Sequence, residues 1–195
     1  MDLVEPFSSR VDLREGLLGD GVIKLARRLS DLRGIFRDEK ARAEMVVQVD
    51  PLVYEVFVAP APESEGHLCH GVTVLHPGRV GDEYFMTKGH YHQRSEAAEV
   101  YYGLAGDGLM MLQTRWGLWR TVDIGPGTVV YVPPHWGHRS INTGDVPLIL
   151  LFAYPGDAGH DYGTIESTGF ARLVVADNGR PSVVENPRYI AEAPL

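Results

Sequence analysis

From Met45 onward the chain runs in short stretches of Val, Ile, Thr, Tyr and Phe, punctuated every few residues by Gly and Pro. That texture marks strands with one or both faces buried. It predicts strands near 45–48, 53–59, 68–76, 83–88, 90–92, 98–104, 108–114, 119–123, 128–132, 138–142, 147–154 and 170–176. Turns are predicted at APAPESEG, HPGRVGD, AGDG, GPG, PPHWG, NTGD and ADNGRP, where Gly, Pro, Asn and Asp gather. Many short strands at close spacing imply a mainly β fold, a sandwich or a barrel. Ahead of them, Val22, Ile23, Leu25, Ala26, Leu29, Leu32 and Ile35 recur at helical spacing, with Gly34 as a stop. Lys24, Arg27, Arg28, Asp31 and Arg33 then form the solvent-facing or partner-facing side of that helix. A further short helical turn is predicted over Asp38 to Glu44. The expected organisation over residues 1–195 is one domain: an N-terminal arm with a helix (1–45), a β core (46–178) and a C-terminal tail (179–195).

Composition narrows the setting. The 195 residues suffice for one well-packed domain and are few for two. Lys and Arg total 18 against 26 Asp and Glu, a formal charge of −8. So acidic a chain is a poor partner for nucleic acid or an anionic membrane, while a small anionic substrate stays open. The single cysteine, Cys69, cannot form an intrachain disulfide and reads as a small buried apolar residue. The N-terminus lacks the basic-then-apolar order of a secretory signal. The strongest apolar run, Leu148 to Tyr154, is far shorter than the ~20 residues that span a bilayer. The expected location is therefore cytoplasmic.

Within this frame one stretch carries chemistry. His90 and His92 are two residues apart, so on a strand both imidazoles point to the same face. Glu99 follows after a turn-prone QRSEAA insert, and His138 comes much later among Pro and Gly turns. Three imidazoles and a carboxylate suit a divalent first-row metal that keeps open positions. His67, His70, His76 and His135 read as ordinary surface or hydrogen-bonded residues, and Trp116, Trp119 and Trp136 as buried apolar surface.

These residues resemble the two motifs of the cupin family. The first reads His90-Tyr91-His92, Glu99 and Gly106, with a longer insert before the Glu than most members have. The second reads Gly127, Pro133, His138 and Asn142, with His135 where a Gly is common. The stretch VTVLHPGRVGDEYFMTKGHYH and the later AAEVYYGLAGDGLMMLQ narrow the resemblance to the cupin-type glucose-6-phosphate isomerases, from about Val22 to Tyr162. The resemblance implies a cupin jelly-roll β-barrel with a short helical N-terminal arm, a homodimer, and a phosphosugar substrate. It implies one divalent metal per subunit on His90, His92, Glu99 and His138, iron(II) first, with manganese, nickel or zinc as other occupants.

The implied reaction interconverts glucose 6-phosphate and fructose 6-phosphate, with Glu99 as the base that carries a proton between neighbouring carbons. A direct hydride shift is the other route the family allows. Tyr154, His160 and Tyr162 match family positions near the sugar; His160 could assist ring opening and Tyr154 could orient substrate or relay a proton. Thr73, Thr87 and the backbone of Gly89 match phosphate-facing positions, with Tyr54, Tyr101 and Tyr162 as contributors. Lys88 alternates away from them on a strand. Two other readings share the ligand set: a cupin dioxygenase, and a sugar-binding cupin without turnover.

Overall fold

The computed structural model describes residues 3–14 and 16–191. Strands β1 (Arg10–Asp12), β2 (Gly16–Leu18) and β3 (Ile23–Arg28) lead into a 3-10 turn (Leu29–Leu32) and helix α1 (Glu39–Gln48). There follow β4 (Leu52–Val58), β5 (Leu68–Leu75), β6 (Arg79–Val80), β7 (Glu83–Tyr84), β8 (Glu99–Ala105) and β9 (Gly108–Gln113). Then come β10 (Trp119–Ile124), β11 (Val129–Val132), β12 (Gly137–Asn142) and β13 (Leu148–Pro155). Helix α2 (Tyr162–Thr168), β14 (Arg172–Asp177) and β15 (Arg180–Glu185) complete the order. No helix among the described residues is long and apolar enough to cross a membrane.

A six-stranded sheet in the order β11-β8-β13-β5-β4-β3 forms one wall. Strands β10-β9-β12 form a three-stranded sheet, and β15-β14-β7-β6 a four-stranded one. Residues of these sheets share one core, from Val53 and Leu75 through Met110 and Ile141 to Leu150 and Val174. The fold is mainly β, as the texture predicts. Among the described residues, however, the strands do not close into one continuous hydrogen-bonded barrel. The reason lies in residues 85–92. Gly89 takes φ +79°, which lifts the chain out of the extended conformation, so single bridges at Met86, His90 and Tyr91 replace the predicted strand.

The predicted N-terminal helix is a correction. Ile23–Arg28 is a strand that completes the edge of the six-stranded sheet, pairing Arg27 with Tyr54 and Leu25 with Val56. Tertiary pairing overrides the local spacing: β4 has a free row of backbone donors and acceptors, and β3 satisfies it. Leu29 and Leu32 are buried by the 3-10 turn instead of a helix face. Helix α1 starts where the predicted short turn does, with the Asp38 side chain accepting from the Ala41 N–H at 2.9 Å. It runs on through 45–48, so the strand predicted there is its last turn. Trp116 is exposed in the single chain, so it does not lie buried under a hairpin.

Asn142 of the second motif has a mechanical task. Its side-chain NH2 donates to the carbonyls of Leu75 (2.8 Å) and Val146 (2.9 Å), and its oxygen accepts from the Gly144 N–H at 3.0 Å. That knots the β12–β13 turn to the end of β5. His135 adopts φ +69°, the left-handed conformation a Gly would take freely.

Candidate metal centre and its cavity

His90 and His138 are joined through their main chains. The His90 N–H donates to the His138 carbonyl at 3.1 Å, and the His138 N–H returns the bond at 3.0 Å. The two rings lie 4.5 Å apart. Gly89 makes this approach possible, because a Cβ there would sit 2.9 Å from the His138 carbonyl oxygen and 2.7 Å from the Phe170 ring. Glycine is thus required by protein packing at this position, in addition to any approach of a ligand.

The insert between His92 and Glu99 folds back as its composition suggests. The Ala97 N–H donates to Arg94 O (2.9 Å), and the Ala97 carbonyl accepts from His92 Nδ1 at 3.1 Å. That contact fixes the tautomer and aims the Nε2 lone pair inward. Glu99 opens β8 with its carboxylate almost wholly buried. Its Oε2 lies 2.9 Å from His138 Nε2 and 3.2 Å from His92 Nε2. One donor atom from each of His90, His92, Glu99 and His138 falls within 4.8 Å of all the others.

The electrostatics fit a cation between them. His90 Nε2 is buried without a hydrogen-bond partner. His92, its Nδ1 proton already committed to Ala97, presents a lone pair to a carboxylate, a repulsive pairing unless a proton or a metal ion intervenes. Burial drives the Glu99 carboxyl upward, but the His138 and His92 rings outweigh it and hold it well below the usual carboxylate range. Burial keeps His90 neutral by pushing its imidazole well below the ordinary value. Burial opposes charge on His92 too, yet its contact with Glu99 raises it. Imidazole nitrogens gathered around an ionised carboxylate are the donor chemistry a divalent first-row ion requires.

The group lines a cavity of about 280 Å³. Tyr54, Thr73, Thr87, Gly89, Tyr101, Tyr154, His160 and Tyr162 all face it, together with His90, Glu99 and His138, while His92 supports it from behind. The His160 ring stands edge-on to Tyr154 at 5.2 Å and to His90 at 4.5 Å, and it stacks on Tyr162 at 5.7 Å. Burial lowers the His160 imidazole below its ordinary value and pushes the Tyr154 and Tyr101 phenols well up. At neutral pH the tyrosines therefore keep their protons and His160 is uncharged. The Thr87 hydroxyl accepts from the Ser140 N–H at 3.0 Å, so its own proton is free to point into the cavity.

Several lining residues are absent from the sequence reading. Arg27 reaches the cavity because β3 is a strand, which no local pattern announced. Lys88 lines it as well, contrary to the alternation argument, because residues 85–92 are not a regular strand. Glu63 enters from the loop between β4 and β5, and Ser140 from β12.

Comparison with known proteins places the sequence in a family. The family model described as Glucose-6-phosphate isomerase (GPI) matches residues 26–192. A glucose-6-phosphate isomerase of Pyrococcus abyssi (strain GE5 / Orsay) is 52% identical over 185 residues, covering 95% of this chain and 97% of that protein. One from Thermococcus litoralis is 51% identical over 189 residues, covering 97% and 99%. A solved oxalate decarboxylase from Bacillus subtilis overlaps 55% of this chain and 26% of its own, at 26% identity and a TM-score of 0.44. The chain belongs to the glucose-6-phosphate isomerase family.

Proposed function

We propose that this chain interconverts glucose 6-phosphate and fructose 6-phosphate, with one divalent metal held by His90, His92, Glu99 and His138. The carrying observation is that this His3Glu group, its donor atoms within 4.8 Å of one another, puts His90, Glu99 and His138 into the wall of a cavity also lined by hydroxyl donors. The relatives' names agree with that activity. When bound, the metal polarises the sugar carbonyl and acidifies the neighbouring C–H; iron(II) is the first expectation, with manganese, nickel or zinc able to occupy the same donors.

The rest falls to the chain's own groups. Glu99, ionised at neutral pH, takes the proton from one carbon at Oε1 and returns it to the next through an enediol. Neutral His160 accepts the anomeric hydroxyl proton and returns it to the ring oxygen as the C–O bond breaks, and the Tyr154 hydroxyl orients the reacting oxygens. Thr73, Thr87, the Gly89 backbone, Tyr54, Tyr101 and Tyr162 supply donors for the phosphate and the sugar hydroxyls. The same reading carries a homodimer and a cytoplasmic location. The outward apolar row of Val100, Tyr102, Val129 and Tyr131 on β8 and β11 supports the first, and the unpaired Cys69 suits the second.

The test is a coupled assay of fructose 6-phosphate conversion before and after chelation, with metal content measured on the same sample. Activity that disappears with the metal and returns on reloading is expected. Conversion indifferent to metal removal would reject the mechanism.

A further inference from the structure

Arg27 stands on the edge strand β3, directly across from Tyr54 in the β3–β4 register, and its side chain lines the cavity. The register fixes which end it occupies. Along β4 the cavity-facing residues are Tyr54, Val56 and Val58, so Tyr54 marks one end of the row. Tyr154 pairs with Cys69 at the far end of β5, and the His92 and His160 rings lie 5.9 and 5.2 Å from it. The metal group is therefore at the Tyr154 end and Arg27 at the other. Tyr54 joins this second end to the Thr87–Gly89 segment through a hydrogen bond to the Lys88 backbone.

Charge sharpens the point. Four charged side chains line the cavity: Arg27, Lys88, Glu63 and Glu99. The Lys88 ammonium is already paired with Glu166 and lies 5.3 Å above the Tyr162 ring. Arg27 makes no ion pair among the described residues; its Nη1 donates to the carbonyl of its neighbour Ala26 at 3.0 Å. Its positive charge works against the upward push that burial gives the Tyr54 phenol, at about 12, and does the same at Tyr162. A phosphate monoester carries roughly −1.5 to −2 charges near neutral pH. In an acidic protein, hydroxyls and amides alone do not offset that charge at the cavity mouth, and an uncommitted guanidinium does.

We propose that Arg27 is the specificity-determining cation of the site, receiving the phosphate end of the substrate at the pole of the cavity away from the metal group. This deepens the isomerase reading and rests on it. The planar fork of Arg27 engages two phosphate oxygens while Thr87 and the Gly89 N–H face the same group. The sugar carbons are thereby held toward Glu99. Lys88 is the secondary cation, because it must first leave Glu166.

The experiment compares full-length metal-loaded protein with Arg27→Met and Arg27→Lys. Three quantities are read: kcat and KM for fructose 6-phosphate, the Kd for inorganic phosphate by titration calorimetry, and metal content. Arg27→Met is expected to raise both KM and the phosphate Kd about 10- to 100-fold, from loss of the two-pronged, charge-assisted contact. Metal content stays at the parent level and kcat falls much less than KM rises. Arg27→Lys, which keeps the charge but not the fork, recovers part of both. Should Arg27→Met fold poorly, Arg27→Lys alone is expected to show a phosphate Kd several-fold weaker than the parent. Values for both variants within about twofold of the parent overturn the proposal, as does an equal loss of metal. If the parent itself fails to convert fructose 6-phosphate, the isomerase reading is lost, and the phosphate titration still decides Arg27: weakened binding upholds it, unchanged binding overturns it.

Discussion

The two ends of the cavity are built in opposite ways. At the metal end His92, Glu99 and His138 are buried, His90 is half-buried, and all four are cross-braced: His90 and His138 share main-chain hydrogen bonds, His92 is pinned by Ala97, and Glu99 is wedged between rings. At the other end Arg27 sits on an edge strand and Lys88 is on loan to Glu166, with the 42% exposed Tyr162 standing between the two ends. The first end is preorganised before any ligand arrives, whereas at the second Lys88 would have to leave Glu166 to engage one. Reaction chemistry demands fixed geometry, and recognition of a mobile dianion tolerates adjustment.

Substitution at each end tests that contrast. Glu99→Gln keeps a ligating oxygen but removes the base, so turnover of fructose 6-phosphate should fall about 10²- to 10⁴-fold. Metal analysis of the same preparation separates this from lost loading; near-parental kcat would show that Glu99 is not where the proton moves. Gly89→Ala strikes the bracing rather than the chemistry. With φ at +79° and a Cβ forced within 2.9 Å of the His138 carbonyl, it should cost about 2–4 kcal/mol of stability in a denaturant melt and weaken metal affinity with it. An undiminished melt would mean that the 85–92 segment is softer than the packing implies.

Acid should loosen the metal end selectively. His92 has the raised imidazole, so it is the first group for which protons compete as pH falls, while Glu99, held low, stays charged. The protonated ring cannot ligate, and metal affinity therefore declines by about tenfold per pH unit below the His92 value. Competition titrations with a chelator between pH 8 and 5, run as about four points, would reveal a flat profile if this is wrong. The smallest effect belongs to the adjustable end. Thr73→Val, removing one neutral hydroxyl, should raise KM about fivefold and leave kcat nearly unchanged.

Much of this site is legible in the chain because ligand chemistry dictates spacing. The HxH pair and the turning QRSEAA stretch bring His90, His92 and Glu99 together as expected, although isolated bridges and not a strand carry the two imidazoles. The partner atoms that brace the rings are main-chain carbonyls of Ala97 and His138, which no residue identity announces. The N-terminal segment misleads for a related reason. Its apolar positions fit a helix, but Ile23 and Leu25 stay substantially exposed along a strand whose stability comes from pairing with β4. Met45 to Gln48 misleads in reverse, since its Val pair suggests a strand while the Asp38 cap carries the helix through it. Arg27 belongs to the cavity only once β3 is placed, so its role depended on the least local feature of the fold.

The paired main-chain bonds between His90 and His138 bear on how the proposed metal would come and go. Because backbone groups, not the ion, hold these two ligands together, departure of one cation does not require the scaffold to melt, and another can slot in.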